Sequence, residues 1–177
     1  MFSGLLKMLP TFRKDNVKDT ESPLNYDDLT FLDAETLAEE GIAGAYQRLL
    51  PELKKHIRNP AQIYEYIDSE IPEYKVSCNG EEFTIYSAEV PGSEEESWAR
   101  ATYSLFVIVN AQLCDSEITF FAIDADNSLS GMFLTEQEAM AARNIIKSEA
   151  DWPYIPTLDA PFYGQYHEGK SAGCMSQ

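Results

Sequence analysis

The residue types that most often do chemistry are few in this sequence and far apart. The two histidines, His56 and His167, stand in a lysine-rich helical turn and near the C-terminal end. Neither position predicts a histidine held between a carboxylate and a Ser or Cys nucleophile, as a catalytic triad requires. Cys78, Cys114 and Cys174 form neither a disulfide framework nor a CxxC metal-binding pair. We therefore predict no Ser/His or Cys/His enzyme, and we expect Cys78 and Cys114 to be small buried residues.

The segment from Asp124 to Ser128 resembles the opening of a calcium-binding loop, with carboxylates at Asp124 and Asp126. An EF-hand loop also needs Gly at its sixth position and Glu at its twelfth, where this sequence has Leu129 and Thr135. A turn in which Asp and Asn side chains bond local amides explains the segment better. Motifs for dinucleotides, phosphate loops, zinc proteases and nucleophile elbows are missing, so we predict no metal and no cofactor. Because carboxylates are abundant, a divalent-metal-dependent hydrolase stays open as a second alternative.

Charge is the most unusual property of the sequence. It has 30 Asp and Glu against 13 Lys and Arg, which gives a formal net charge of -17. Such a charge repels nucleic acid and anionic lipid and favours a basic protein partner, unless the acid only keeps the protein soluble. No stretch approaches the roughly 20 apolar residues that span a bilayer, so we predict no stable membrane insertion. The few scattered cysteines favour a reducing compartment, which predicts a cytoplasmic protein.

Composition divides the chain into three parts. Residues 1–25 predict a short helix and a flexible linker, residues 26–157 a single α+β domain, and residues 158–177 an extended or disordered arm. We expect the N-terminal part either to fold back onto the acidic body or to be disordered. It is basic, with Lys7, Arg13, Lys14 and Lys18.

Helical periodicity begins after Asp33, a predicted N-cap, and apolar residues recur at three and four residues from Leu37 to Ile57. Pro51 inside this pattern predicts a kink or a break. Asn59-Pro60 predicts a second helix to about Asp68, because proline favours the first helical position. Its expected inner face consists of Ile63, Tyr66 and Ile67.

Alternating apolar residues on both sides of Asn79-Gly80 predict a β-hairpin, because a type I′ turn requires positive φ at both central residues. A second, less regular hairpin is predicted from Ile118–Ile123 and Met132–Leu134. The first hairpin's expected cross-strand pairs are Val76 with Phe83 and Tyr74 with Ile85, all on one buried face.

The acidic run from Glu94 to Glu96 precedes a predicted long helix from Ser97 to about Leu113, and acids favour a helix start. A capping box of Thr135 and Glu138 opens a last helix. Its expected inner face is Met140, Ile145 and Ile146. The predicted fold class is α+β, with a four-stranded antiparallel sheet formed by two hairpins and packed by helices.

Aromatic residues beside acids are typical of protein-binding surfaces, since rings supply area and acids steer a cationic partner. We expect Trp152 to cap the core, whereas Tyr163 and Tyr166 flank a glycine and are candidates for exposure. The predicted partner-binding residues are Glu94, Glu95, Glu96, Asp124, Asp126, Tyr163 and Tyr166.

The segments Ser130–Arg143 and Asp151–Thr157 resemble a block in an uncharacterised family of small acidic bacterial proteins. That resemblance implies a bacterial origin and brings no catalytic motif. In size, acidity and α+β pattern the chain is also similar to immunity proteins of interbacterial toxin systems, from which no binding residue can be transferred.

Charge and missing catalytic motifs lead to the first hypothesis: a non-catalytic binding protein that neutralises or regulates a basic partner, like an immunity protein or antitoxin. The alternative is a regulatory or housekeeping domain that forms a homodimer through its aromatic arm.

Overall fold

The computed structural model describes residues 23–159, so the predicted N-terminal helix and most of the predicted C-terminal arm lie outside the described residues. Short 3-10 turns occupy Tyr26–Asp28, Asp126–Ser128 and Glu149–Asp151. The strands and helices follow the order β1 (Thr30–Phe31), α1 (Ala34–Glu39), α2 (Ile42–His56), β2 (Ile63–Asp68), β3 (Glu73–Cys78), β4 (Glu81–Ser87), α3 (Ser97–Gln112), β5 (Ile118–Ile123), β6 (Ser130–Thr135) and α4 (Glu136–Ile145).

The fold class α+β is confirmed, but the prediction of one four-stranded sheet is wrong. The structure has two separate three-stranded antiparallel sheets, ordered β1-β6-β5 and β2-β3-β4. Each predicted hairpin exists, and each recruits a third strand from earlier in the chain instead of pairing with the other hairpin. Helix α3 packs against both β4 and β5 and so separates the two sheets.

Strand β2 replaces the helix predicted after Pro60. Its residues alternate, with Tyr64 and Tyr66 exposed and Ile63 and Glu65 more buried, and it pairs with β3 along its whole length. Aromatic and β-branched residues fit a pleated surface, and pairing with β3 outweighs the local preference that proline gives to a helix start.

The hairpin of β3 and β4 turns at Asn79 and Gly80 with φ values of 52° and 88°, as a type I′ turn requires. Val76 pairs with Phe83, as predicted. Tyr74 pairs with Tyr86 and not with Ile85, because a bulge between Tyr74 and Lys75 shifts the register by one residue. The side chains of Tyr74, Val76 and Ile85 are nevertheless completely buried.

The apolar stripe after Asp33 forms two helices. The carboxylate of Asp33 accepts a hydrogen bond from the amide of Thr36 at 3.0 Å, which confirms the N-cap. The chain breaks at Gly41, whose φ of 105° is reserved for glycine, and α2 then continues through Pro51 to its end.

The capping box of α4 is confirmed: the amide of Glu138 donates to Thr135 Oγ1 at 3.2 Å, and the amide of Thr135 donates to Glu138 Oε2 at 2.8 Å. These bonds from Thr135 hold the pKa of Glu138 below its usual value. The predicted inner face is wrong for Met140 and Ile145, which are 54% and 57% exposed, whereas Ile146 packs against the core as predicted. Small residues, Ala139 and Ala142, face the sheet instead and let the helix lie close to it.

Candidate functional site

A cleft of about 450 Å³ opens where the start of α3 meets the turn between β5 and β6. Three sides of it come from distant parts of the chain: the acidic run before α3, the turn at Ala125 and Asp126, and Tyr154. We call it the acidic cleft. Its lining consists of Ala34, Glu94, Glu95, Glu96, Ser97, Trp98, Ala99, Thr102, Ala125, Asp126, Leu129 and Tyr154.

The loop that carries the acidic run is fixed by Ser93, which is 1% exposed. Its hydroxyl oxygen lies 2.7 Å from the carbonyl oxygen of Val90 and 3.1 Å from that of Ser87, and it accepts a bond from the Ser87 amide at 3.0 Å. A buried hydroxyl with this many partners holds one loop geometry, since each bond would be lost in another. These bonds therefore fix the backbone position of the three glutamates that follow Ser93 and precede α3.

The three glutamates differ in their partners. Glu96 Oε2 accepts hydrogen bonds from Arg100 Nε at 3.0 Å and from Arg100 Nη2 at 2.9 Å, one helical turn further on. Glu94 and Glu95 are exposed, and within residues 23–159 their carboxylates form no ion pair. The negative charge that is available to a ligand is therefore concentrated at Glu94 and Glu95.

The turn after β5 brings in the second group of acids. Asp124 and Asp126 have φ values of 58° and 53°, which short polar side chains tolerate, and Asn127 Nδ2 ties the turn to Glu35 Oε2 of α1 at 2.7 Å. Burial, and then the charge of Asp151, raise the pKa of Asp124. Asp126 is exposed and lines the cleft, whereas the partly buried Asp124 is not part of the lining.

Tyr154 forms the floor of the cleft. Its backbone forms an antiparallel bridge with Ala122 of β5, and its hydroxyl donates to the carbonyl oxygen of Asp124 at 2.8 Å. Burial, followed by the charges of Asp126 and Asp124, raises the pKa of the Tyr154 phenol, which keeps it a neutral hydrogen-bond donor. The floor is therefore rigid and uncharged.

Trp98 gives the cleft an aromatic wall. It is half-buried at the start of α3, and it packs against the main hydrophobic core with part of its ring left accessible. An aromatic face near carboxylates can hold an ammonium or guanidinium group through charge and cation–π attraction together. Four carboxylates and this ring line the cleft, so the arrangement can bind a cation.

The structure brings together four of the seven predicted partner-binding residues: Glu94, Glu95, Glu96 and Asp126 all line the cleft. Asp124 lies next to it, and Tyr163 and Tyr166 lie outside the described residues. Sequence reasoning placed Trp98 in the helix core and did not select Tyr154. The position of Trp98 two residues after a run of three glutamates was the signal that could have identified it.

The other reactive side chains lie elsewhere. His56 stacks on Phe133, with ring centroids 5.6 Å apart, at the C-terminal end of α2. Cys78 is buried as predicted, but Cys114, in the turn after α3, is exposed. Trp152 is half-buried, with its indole N–H bonded to Ile146 O at 2.8 Å. Across residues 23–159 no group of three or more His, Cys, Asp or Glu side chains is arranged to hold a metal ion.

The fold and cleft thus define an acidic α+β protein with two three-stranded sheets around a shared helix. Comparisons with protein-family models, with curated proteins and with solved structures found no match for this chain. The resemblance of Ser130–Arg143 and Asp151–Thr157 to small bacterial proteins therefore stays a prediction. Within the part of the chain that the structure describes, no helix has both the length and the apolar character that a membrane crossing requires.

Proposed function

We propose that the protein is a non-catalytic binding protein that neutralises or regulates a basic protein partner, as an immunity protein or antitoxin does. In this proposal a cationic segment of the partner enters the acidic cleft. The observation that supports it most directly is that Glu94, Glu95, Asp126 and Trp98 all line one cleft.

The charge of the whole chain supports the same proposal. A net charge of -17 attracts a basic partner from a distance and accelerates association, and the cleft supplies the place where that attraction becomes specific. The volume of about 450 Å³ falls within the roughly 300–1,000 Å³ of ligand-binding sites, so it accommodates one or two long cationic side chains. Within residues 23–159, Glu94 and Glu95 form no ion pair that a ligand would have to displace first.

A cytoplasmic location accompanies this proposal. Cys78 and Cys114 are free thiols, which is the state that a reducing compartment maintains. Nucleic acid is not proposed as a partner, since a phosphate backbone would meet carboxylates at the cleft.

Reversing the charges of the cleft tests the proposal. The probe is an oligolysine peptide, and binding is followed by Trp98 fluorescence in a Trp152→Phe background and by calorimetry. The variant Glu94→Lys/Glu95→Lys/Asp126→Lys should bind the peptide about tenfold more weakly or worse, because three favourable charge pairs become repulsive. Binding by the unchanged chain should also weaken as salt rises.

A matched control separates the cleft from the overall charge. Glu81→Lys/Asp115→Lys/Glu117→Lys makes the same change in net charge at exposed acids outside the lining. The affinity of this control for the peptide should fall by less than about threefold, since distant exposed charges are screened. Equal losses of affinity in both variants, or an affinity that does not change with salt concentration, would contradict a cleft-directed electrostatic function. Capture of a basic protein encoded beside this gene by the unchanged chain, and not by the cleft variant, would identify the partner.

A further inference from the structure

Strand β2 is an open edge of its sheet. In the order β2-β3-β4 it pairs only with β3, and across residues 23–159 the backbone of Ile63–Asp68 forms no hydrogen bond to any other element. The edge is six residues long and contains no proline, no lysine and no bulge, the devices that normally block pairing with another chain. The opposite edge is different, because Ser93 Oγ occupies both the amide and the carbonyl of Ser87 at the end of β4.

Large apolar side chains are exposed on and just beyond this edge. Tyr64 is 63% exposed, Tyr66 52%, Ile67 42% and Ile71 65%. Tyr64 and Tyr66 share one face of the strand, and exposed apolar groups next to unpaired backbone groups are typical of an interaction surface. No residue of this edge lines the acidic cleft, so the two surfaces are separate.

The sequence of the edge identifies its occupant. Residues 63–67 read Ile-Tyr-Glu-Tyr-Ile, which is the same in both directions. An antiparallel pair of two such strands, centred on Glu65, places Ile63 opposite the second copy's Ile67 and Tyr64 opposite its Tyr66. A two-fold axis requires this kind of self-complementarity, because each contact must occur twice.

The polar groups at the ends of β2 agree with the same register. It places Gln62 opposite the second copy's Asp68, a neutral amide donor against a carboxylate. The Tyr64 hydroxyl donates to Gln62 Oε1 at 2.8 Å, and within residues 23–159 the amide nitrogen of Gln62 has no bonded acceptor, so it can donate outward. Backbone bonds from Ile71 and Glu70, and the bond from the Tyr66 hydroxyl, lower the pKa of Asp68 and keep it an acceptor.

Glu65 would lie on the two-fold axis, where two like charges would meet if both pointed outward. Its carboxylate is instead directed at the start of α2, where Glu65 Oε1 accepts hydrogen bonds from Ile42 N at 2.6 Å and from Ala43 N at 3.2 Å. The positive end of the helix compensates this charge, so the axis position tolerates it.

We propose that β2 pairs antiparallel with β2 of a second copy of this chain, about a two-fold axis at Glu65, and joins two three-stranded sheets into one sheet of six strands. This homodimer uses a different surface from the aromatic arm predicted from sequence, and it does not depend on the proposed binding function. Each copy carries a net charge of -17, so association must overcome repulsion that salt screens. The affinity of the two copies for each other should therefore increase as salt rises, whereas the affinity of the cleft for a basic ligand should decrease.

Sedimentation velocity of the full chain, at low and at moderate salt, tests the pairing. Tyr64→Glu/Tyr66→Glu places glutamates opposite each other twice and removes two aromatic pairs, so dimerisation should weaken by about tenfold to a hundredfold. Tyr26→Glu/Met140→Glu makes the same charge change at two other exposed hydrophobic residues and should leave dimerisation within about threefold. Circular dichroism confirms that each variant is folded.

Mixing variants tests the register itself. Tyr64→Lys/Tyr66→Lys should also be monomeric, but an equal mixture with Tyr64→Glu/Tyr66→Glu should form a heterodimer, since each lysine then faces a glutamate. A full chain that stays monomeric at moderate salt overturns the proposal. So does a dimer that survives Tyr64→Glu/Tyr66→Glu, because it would be held by another surface, such as residues 160–177.

Discussion

Replacing Gly131 by alanine is expected to lower the free energy of unfolding by about 3 kcal/mol, the upper end of the usual overpacking range. A Cβ atom at Gly131 would lie 2.1 Å from Phe120 Cζ and 2.5 Å from Phe120 Cε2. The Phe120 ring cannot turn away, because Phe106 stacks on it and Phe133 packs against it at a tilt, each with a centroid distance of 4.6 Å. The aromatic ring thus occupies the place that any side chain on this part of β6 would need.

Urea denaturation followed by circular dichroism measures the effect. Gly44→Ala is a suitable control, since this glycine is exposed within α2 and a Cβ there would meet nothing closer than Arg48 Nη1 at 4.0 Å. That change should stabilise the protein by roughly 0.4–1 kcal/mol, because alanine favours a helix. Adding Phe120→Leu to Gly131→Ala should recover about 1 kcal/mol relative to the sum of the single changes. Additive losses would show that the ring is not the obstacle.

Replacing Glu65 by alanine is expected to cost about 3 kcal/mol, because it removes the carboxylate that caps the start of α2 and leaves the Ile42 amide with the Tyr74 hydroxyl, at 2.8 Å, as its acceptor. Gly41, at the N-cap position, has no side chain to offer, so a carboxylate from β2 accepts the amides of Ile42 and Ala43 instead. The Tyr74 hydroxyl also donates to Glu65 Oε1, at 2.5 Å. Burial, and then Glu65 itself, raise the pKa of Tyr74, so the phenol stays a neutral donor. Removing Glu65 leaves an amide and a buried hydroxyl with fewer acceptors.

Three further variants divide this loss among its causes. Glu65→Gln keeps an acceptor oxygen and should lose about 1 kcal/mol, the contribution of charge at a helix start. Gly41→Ala should cost about 2–3 kcal/mol, because φ is 105° there and a Cβ would lie 2.7 Å from Glu65 Oε2. Glu81→Ala, at an exposed acid of the hairpin turn, should change stability by less than about 0.5 kcal/mol. A Glu65→Ala loss as small as that of Glu81→Ala would show that the cap contributes nothing.

The features that sequence predicted correctly depend on residues near each other in the chain. Asn79-Gly80 determines its own turn, the capping box of Thr135 and Glu138 is formed within four residues, and α3 has an uninterrupted apolar stripe. The division into two sheets depends on distant pairing and was not visible. Strand β1 has only two residues, and β2 follows a proline that locally favours a helix.

For the candidate site too, the sequence predicted the local features but not those that depend on distant contacts. Composition identified the acidic run and the Asp-rich turn as binding candidates, because charge can be counted without a fold. It could not show that Glu94 and Asp126 face one cleft, since that depends on how α3 crosses β5. Nor could it show that Tyr154 returns to β5 and forms the floor. Trp98 fits both a core stripe and a cleft wall, and only the packing distinguishes them.

The pairing of β1 with β6 fixes the order in which this sheet can be completed during synthesis. Thr30 pairs with Gly131, and the amides of Leu32 and Asp33 both donate to the carbonyl oxygen of Leu129, at 2.9 and 3.1 Å. During translation β1 therefore leaves the ribosome about a hundred residues before β6, its partner strand, has been synthesised. Until β6 and the preceding Leu129 have been translated, Leu32 cannot form its native contacts with that part of the chain. The first strand of the described residues is therefore completed only when the last one has been made.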